Sequence, residues 1–129
     1  MATYRKIFDL ALAKMFERKG TDSDYDEYAA PILEGLLIEA LPYENMIRRQ
    51  KGVAVVEAAP EVDAVDETVL DWDDRLTRNA LPWGLASGLL AMDEIYQPQA
   101  AQFRNNFVDA LSEAAPAVVS YTDEEVDDA

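Results

Sequence analysis

Six prolines, at positions 31, 42, 60, 82, 98 and 116, cut this chain into segments. A proline lacks the backbone N–H, and its ring crowds the carbonyl four residues back. It therefore marks where a helix starts, kinks or stops. Between these marks, apolar residues recur every three or four positions, the period of an amphipathic helix. Together the two signals predict an all-α protein: one small helical bundle of four to five helices with a long central loop.

The segments read as follows. Tyr4, Ile7, Phe8, Ala11, Met15 and Phe16 share one face of a first helix over 4–18. Thr3 can cap its start, Arg18 and Lys19 suit its negative end, and Gly20 can close it. Leu10 and Leu12 lie off that face and either widen the buried stripe or meet another subunit. Residues 21–23 form a polar turn. Asp24 caps a second helix, with Glu27 at the reciprocal position of a capping box. Its apolar stripe is Tyr25, Tyr28, Ala29, Ile32, Leu36, Leu37 and Ala40. Pro31 calls for an early turn or a kink, and Pro42 is expected to end the helix near Leu41.

Residues 43–68 read as a long loop, with a short strand at Val53–Val56. The helical pattern then resumes as a turn near 72–79 and a helix near 82–94 that opens on Pro82. Gly84 and Gly88 lie four apart and permit another helix to approach closely. The last helix covers 97–115, with Ala100, Phe103, Phe107, Ala110, Leu111 and Ala114 on one face, and Pro116 stops it. The domain is thus expected over 1–115. A mobile acidic tail is expected over 116–129.

Composition narrows the chemistry. Among 129 residues there is no cysteine and no histidine. Disulfides, thiol nucleophiles, cysteine or histidine metal sites and the commonest general base are all excluded. The net charge is −15, and its placement is uneven. Residues 1–52 carry eight Lys/Arg against nine Asp/Glu, and residues 53–129 carry three against seventeen, so −14 belongs to the second part. Such a field repels nucleic acid. It suits a surface that DNA passes without sticking, a surface that meets a basic partner, or plain solubility. No apolar run approaches the roughly 20 residues needed to span a bilayer. A soluble protein of the cytoplasm is the expectation.

Few constellations carry chemistry. Asp22-Ser-Asp24-Tyr-Asp26 opens like a calcium loop, but Glu27 and Leu33 occupy the positions that need glycine and a bidentate acid. Helix capping explains it better. Asp71-Trp-Asp73-Asp74 gathers three carboxylates that could hold Mg²⁺ or Ca²⁺. They read more simply as the acidic start of a helix. Trp83, with Leu85 and Leu89, reads as core. Arg48, Arg49 and Lys51 form the most distinct basic patch, suited to phosphates or to an acidic surface of an identical subunit. Trp72, among aspartates, is expected at an exposed or interface position. These four are the candidate interface residues. No catalytic, cofactor or metal residue is assigned.

The run Ala80-Leu-Pro-Trp-Gly-Leu-Ala-Ser-Gly-Leu-Leu-Ala-Met-Asp93, followed by Ala100-Ala-Gln-Phe-Arg-Asn-Asn-Phe-Val-Asp-Ala-Leu111, resembles the C-terminal helical pair of head–tail connector proteins of tailed bacteriophages and prophages. The first helix, the Asp24–Leu41 helix and the segment Leu41-Pro-Tyr-Glu-Asn-Met-Ile-Arg48 resemble the same group. The likeness covers roughly residues 4–115.

The resemblance implies a non-enzymatic virion protein at the head–tail junction, assembled in the bacterial host cytoplasm. It implies a ring of identical subunits beneath the portal protein, docked to tail-side connector proteins. DNA passes through without specific binding, and no membrane is involved. It transfers no catalytic residue and no cofactor. Residues 43–68 and 116–129 are then expected to reach neighbours and to order on assembly. The acidic tail and the strongly negative second half depart from the group. Two other readings stay open: a small acidic interaction regulator that mimics nucleic-acid charge, and a metal-dependent enzyme that works with carboxylates alone.

Overall fold

The computed structural model describes residues 1–16 and 23–115, with side chains from Tyr25 onward in the second stretch. These form an all-α bundle. In chain order come β1 (Ala2–Thr3), α1 (Tyr4–Lys14), α2 (Ser23–Lys51), β2 (Val69–Leu70), a π-helical turn (Leu76–Ala80), α3 (Leu81–Leu90), a 3₁₀ turn (Glu94–Tyr96) and α4 (Gln97–Ala114). The two short strands pair antiparallel, Ala2 with Leu70 and Thr3 with Val69. No described helix is long and apolar enough to cross a membrane.

Helix α3 is the centre. Eight of its ten residues are buried, as expected for a helix that is apolar all round. Helices α1, α2 and α4 surround it, and Phe8, Leu37, Leu85 and Phe107 bring all four helices into one core. The small residues of α3 set the spacing. A Cβ at Gly84 would lie 2.8 Å from Leu36 Cδ2 and 2.9 Å from Phe107 Cδ1. One at Gly88 would lie 2.6 Å from Ile32 Cγ2. The close approach expected at Gly84 and Gly88 is thus made by α2 and α4 of the same chain. The Ser87 hydroxyl, buried in this contact, donates to the Ala100 carbonyl at 2.7 Å.

Several boundaries differ from the sequence reading. Helix α1 is capped by Thr3, whose hydroxyl accepts from the Lys6 N–H. It stops at Lys14, with Phe16 in the left-handed region at φ 61°. Leu12 joins the buried face of α1. Pro42 does not end the second helix, which runs 29 residues through Pro31 and Pro42. Both prolines are exposed. Eleven residues is about three turns, so they share one side. Each removes one helical bond, to the carbonyls of Glu27 and Ile38, on the side where water can satisfy those groups. Tyr28 also sits on this outer side and is about half exposed.

Because α2 continues to Lys51, the loop shrinks to 52–68, and Val53–Val56 is not a strand. Pro82 stands in the first turn of α3, as expected, and the boundary ahead of it is the π-helical turn. Leu81 N–H bonds to the Leu76 carbonyl, five residues back. The widened turn absorbs the bond that Pro82 cannot make, and helix follows directly. Helix α3 ends at Leu90, short of 94, and Asp93 caps the 3₁₀ turn through the Ile95 N–H at 3.0 Å. The tail at 116–129, Gly20 and the side chains of Asp22 and Asp24 in the capping and calcium-loop readings lie outside the described residues.

Candidate interaction site at the end of helix α2

The end of α2 faces the segment that leads into the π-helical turn, and the contact is built almost wholly from side chains. Glu44 is the hinge of it. Although charged, it is only 3 % exposed, and a buried carboxylate must be satisfied. Its Oε1 accepts from the Asp73 N–H at 2.8 Å, and its Oε2 accepts from Arg48 Nε at 2.6 Å. Arg48 then donates to the Ala54 carbonyl at 3.2 Å and to the Asp71 carbonyl at 3.1 Å. One turn further, Lys51 Nζ lies 3.4 Å from Asp73 Oδ2.

Asp73 is the second node. Its Oδ1 accepts from both the Arg75 N–H and Arg75 Nε at 2.9 Å. These bonds, opposed in part by burial, pull its carboxyl down to about 2. Its carbonyl accepts from the N–H groups of Leu76 and Thr77. Asp73 therefore starts the helical run, as the capping reading of Asp71-Trp-Asp73-Asp74 expects. Asp74 pairs instead with the Met1 ammonium at 2.8 Å, which lowers its carboxyl below the ordinary range. No group of three or more acidic side chains able to hold a metal ion is found among the described residues.

Above these contacts lies an open concavity of about 680 Å³, lined by Ile47, Arg48, Lys51, Val53, Trp72 and Arg75 among others. Arg48, Lys51 and Trp72, three of the four residues singled out in the sequence, thus come together. Their roles differ from the expectation. Trp72 is 3 % exposed and belongs to the core beneath the concavity, because the Asp71–Asp73 strap is pulled onto α2. Arg48 and Lys51 are spent on internal carboxylates. The four cations at the rim, counting the N-terminus and Arg75, face Glu44, Asp71, Asp73 and Asp74. A phosphate entering here would have to displace four paired carboxylates, so the concavity is charge-balanced and ill suited to anions. Arg49 alone points away: it is exposed, and its side chain joins no other described residue by hydrogen bond or ion pair.

The residues missed in the sequence are the polar clamps of the loop. Asn45 takes the Val56 N–H at 2.8 Å and donates to the Val56 carbonyl at 2.9 Å. Glu34 accepts from the Val62 N–H at 2.8 Å. Tyr4 and Arg5 N–H groups bond to the carbonyls of Thr68 and Asp66. The loop is therefore fastened along its length within the subunit. This replaces the picture of a segment that orders only on assembly. Extending α2 past Pro42 would have exposed the signal, since Glu34, Asn45 and Arg48 then fall along one side of one helix.

Trp83, expected in the core, is only partly buried and packs against the core's edge. It packs edge-on to Phe103 with centroids 5.0 Å apart, and Lys14 Nζ lies 3.9 Å from its ring centre. Burial pushes the Lys14 amine down.

No family model, no curated protein and no solved structure matches this chain. Its functional reading rests on its own residues.

Proposed function

We propose that this chain is a structural, non-catalytic subunit of a tailed-phage or prophage head–tail connector. It assembles as a ring beneath the portal protein, docks tail-side proteins, and forms part of a channel wall that DNA passes without gripping. The observation that carries this reading is the state of its acidic groups. Of the twelve acidic residues between 53 and 115, all but Asp73 are exposed. The three arginines of the same stretch, Arg75, Arg78 and Arg104, are each paired with a carboxylate. The outward field of this half is therefore negative, and it repels phosphate at short range. The two segments that resemble connector proteins, Ala80–Asp93 and Ala100–Leu111, also lie against each other, as a helical pair requires.

The same field also suits a basic protein partner, which is the content of the acidic-regulator reading. Electron microscopy separates the two. A nonsense codon at Tyr43 in the source phage or prophage is expected to give DNA-filled or leaking heads beside complete, separate tails. Normal infectious virions would overturn the connector reading and leave the regulator in first place. Within a connector, charge reversal of exposed acids such as Asp109 and Glu113 is expected to slow DNA ejection.

A further inference from the structure

We propose that two copies of this chain pair across the outer side of α2, antiparallel, about a twofold axis near Ile38.

Tyr28, Pro31, Gly35, Ile38 and Pro42 follow one another at spacings of three and four, so they form a single stripe about 21 Å long. All five are exposed and none is charged, in a chain in which 29 % of residues carry charge. Ile38 is 62 % exposed. The glycine in the middle has no role inside the subunit. Gly84 and Gly88 are needed because neighbouring side chains fill the space a Cβ would take. At Gly35 nothing lies within 4 Å. A glycine inside a helix costs stability relative to alanine, and a second backbone coming close at Gly35 would offset that cost.

The charges of α2 choose the second copy and its direction. Asp26, Glu34, Glu39, Glu44, Arg48 and Lys51 are engaged within the subunit, which leaves, among the described side chains, Glu27 as the acidic group near the start of the helix and Arg49 as the basic group near its end. Two copies side by side in parallel would set Arg49 against Arg49. Antiparallel copies set each basic end against an acidic start. With the axis at Ile38, position 49 of one copy faces position 27 of the other. Arg49 and Glu27 are both exposed, and neither side chain forms a hydrogen bond or ion pair with another described residue. The contact is isologous and closes at two. One helix pair buries less than the roughly 800 Å² per partner of a standard interface, so the dimer is reversible. This pairing stands apart from the connector reading, because it is measured on the purified chain.

The absence of cysteine makes the register testable. With a short bismaleimide crosslinker, Ile38→Cys is expected to give a covalent dimer in high yield. Arg49→Cys is expected not to crosslink with itself, since its two copies would lie about 33 Å apart. A mixture of Arg49→Cys and Glu27→Cys is expected to crosslink. By sedimentation, the parent chain should show a concentration-dependent dimer, and Ile38→Lys should weaken it at least tenfold with an unchanged circular-dichroism spectrum. Arg49→Glu should weaken it as well, and Arg49→Glu with Glu27→Arg should restore it. A parent chain that stays monomeric at high concentration overturns the proposal. So does equal crosslinking of Ile38→Cys and Arg49→Cys, and so does an oligomer whose size Ile38→Lys leaves unchanged.

Discussion

Single residues carry both the satisfaction and the strain of this fold. Thr77 is fully buried in the π-helical turn, and its hydroxyl has no hydrogen-bond partner. A buried polar group left unpaired costs about 1–3 kcal/mol, while valine has nearly the same shape. Thr77→Val is therefore expected to stabilise the chain by about 1 kcal/mol in urea denaturation. Asp73 shows the opposite case. Its carboxyl sits at about 2 in the fold, against an ordinary 3.8. It stays ionised in the folded chain over a range where the unfolded chain takes up a proton. Its contribution is full above about pH 4 and is lost as the pH falls toward 2. Asp73→Asn is expected to be about 1–2 kcal/mol less stable than the parent at neutral pH. The gap should close between pH 4 and 2 when both are unfolded in urea across that range. A gap that stays constant would mean that Asp73 acts by shape alone.

At the scale of elements, α3 decides how closely the bundle packs. Alanine is the better helix former by about 1 kcal/mol, so a glycine persists in α3 only where space forbids a methyl group. At Gly84 the methyl would meet Leu36 and the Phe107 ring together, from two different helices. Overpacking of that kind costs about 1–3 kcal/mol. Gly84→Ala is expected to lower the melting temperature. At Gly88 the methyl would lie 2.6 Å from Cγ2 of Ile32, a β-branched side chain that is stiff at χ1 in a helix, so Gly88→Ala is expected to lower the melting temperature as well. Much of this was legible in the sequence. The periodic face of the last helix, that of the first helix except for Phe16, which lies beyond its end and is 90 % exposed, the small residues of α3 and the capping role of the Asp71–Asp74 run all follow from spacing. Pro42 misled, for a physical reason. It lies on the watered side of its helix, where a lost bond is tolerated, whereas Pro82 opens α3 as its place in the sequence suggested. The watered side is not visible before the helices are packed. The burial of Trp72 was hidden for the same reason, because the contacts of Glu44 and Arg48 that draw it in join residues far apart in the chain.

For the whole molecule, the sign of the surface is the property that reaches furthest. The second half presents its carboxylates to solvent, and the cations near them are neutralised within the fold. Arg49 and Lys6 remain as exposed positive groups that pair with no described residue. Such a surface repels phosphate. The strand pair β1–β2 has a further consequence, for the order of folding. Helices α3 and α4 are joined by a few residues, so their contact closes at little entropic cost. The strand pair joins residue 2 to residue 70, and it can form only after α1, α2 and the fastened loop have brought those ends together. Contacts between distant positions form slowly and late. The two-residue clasp is therefore expected to form late and the α3–α4 pair early, an order that hydrogen exchange during refolding would read.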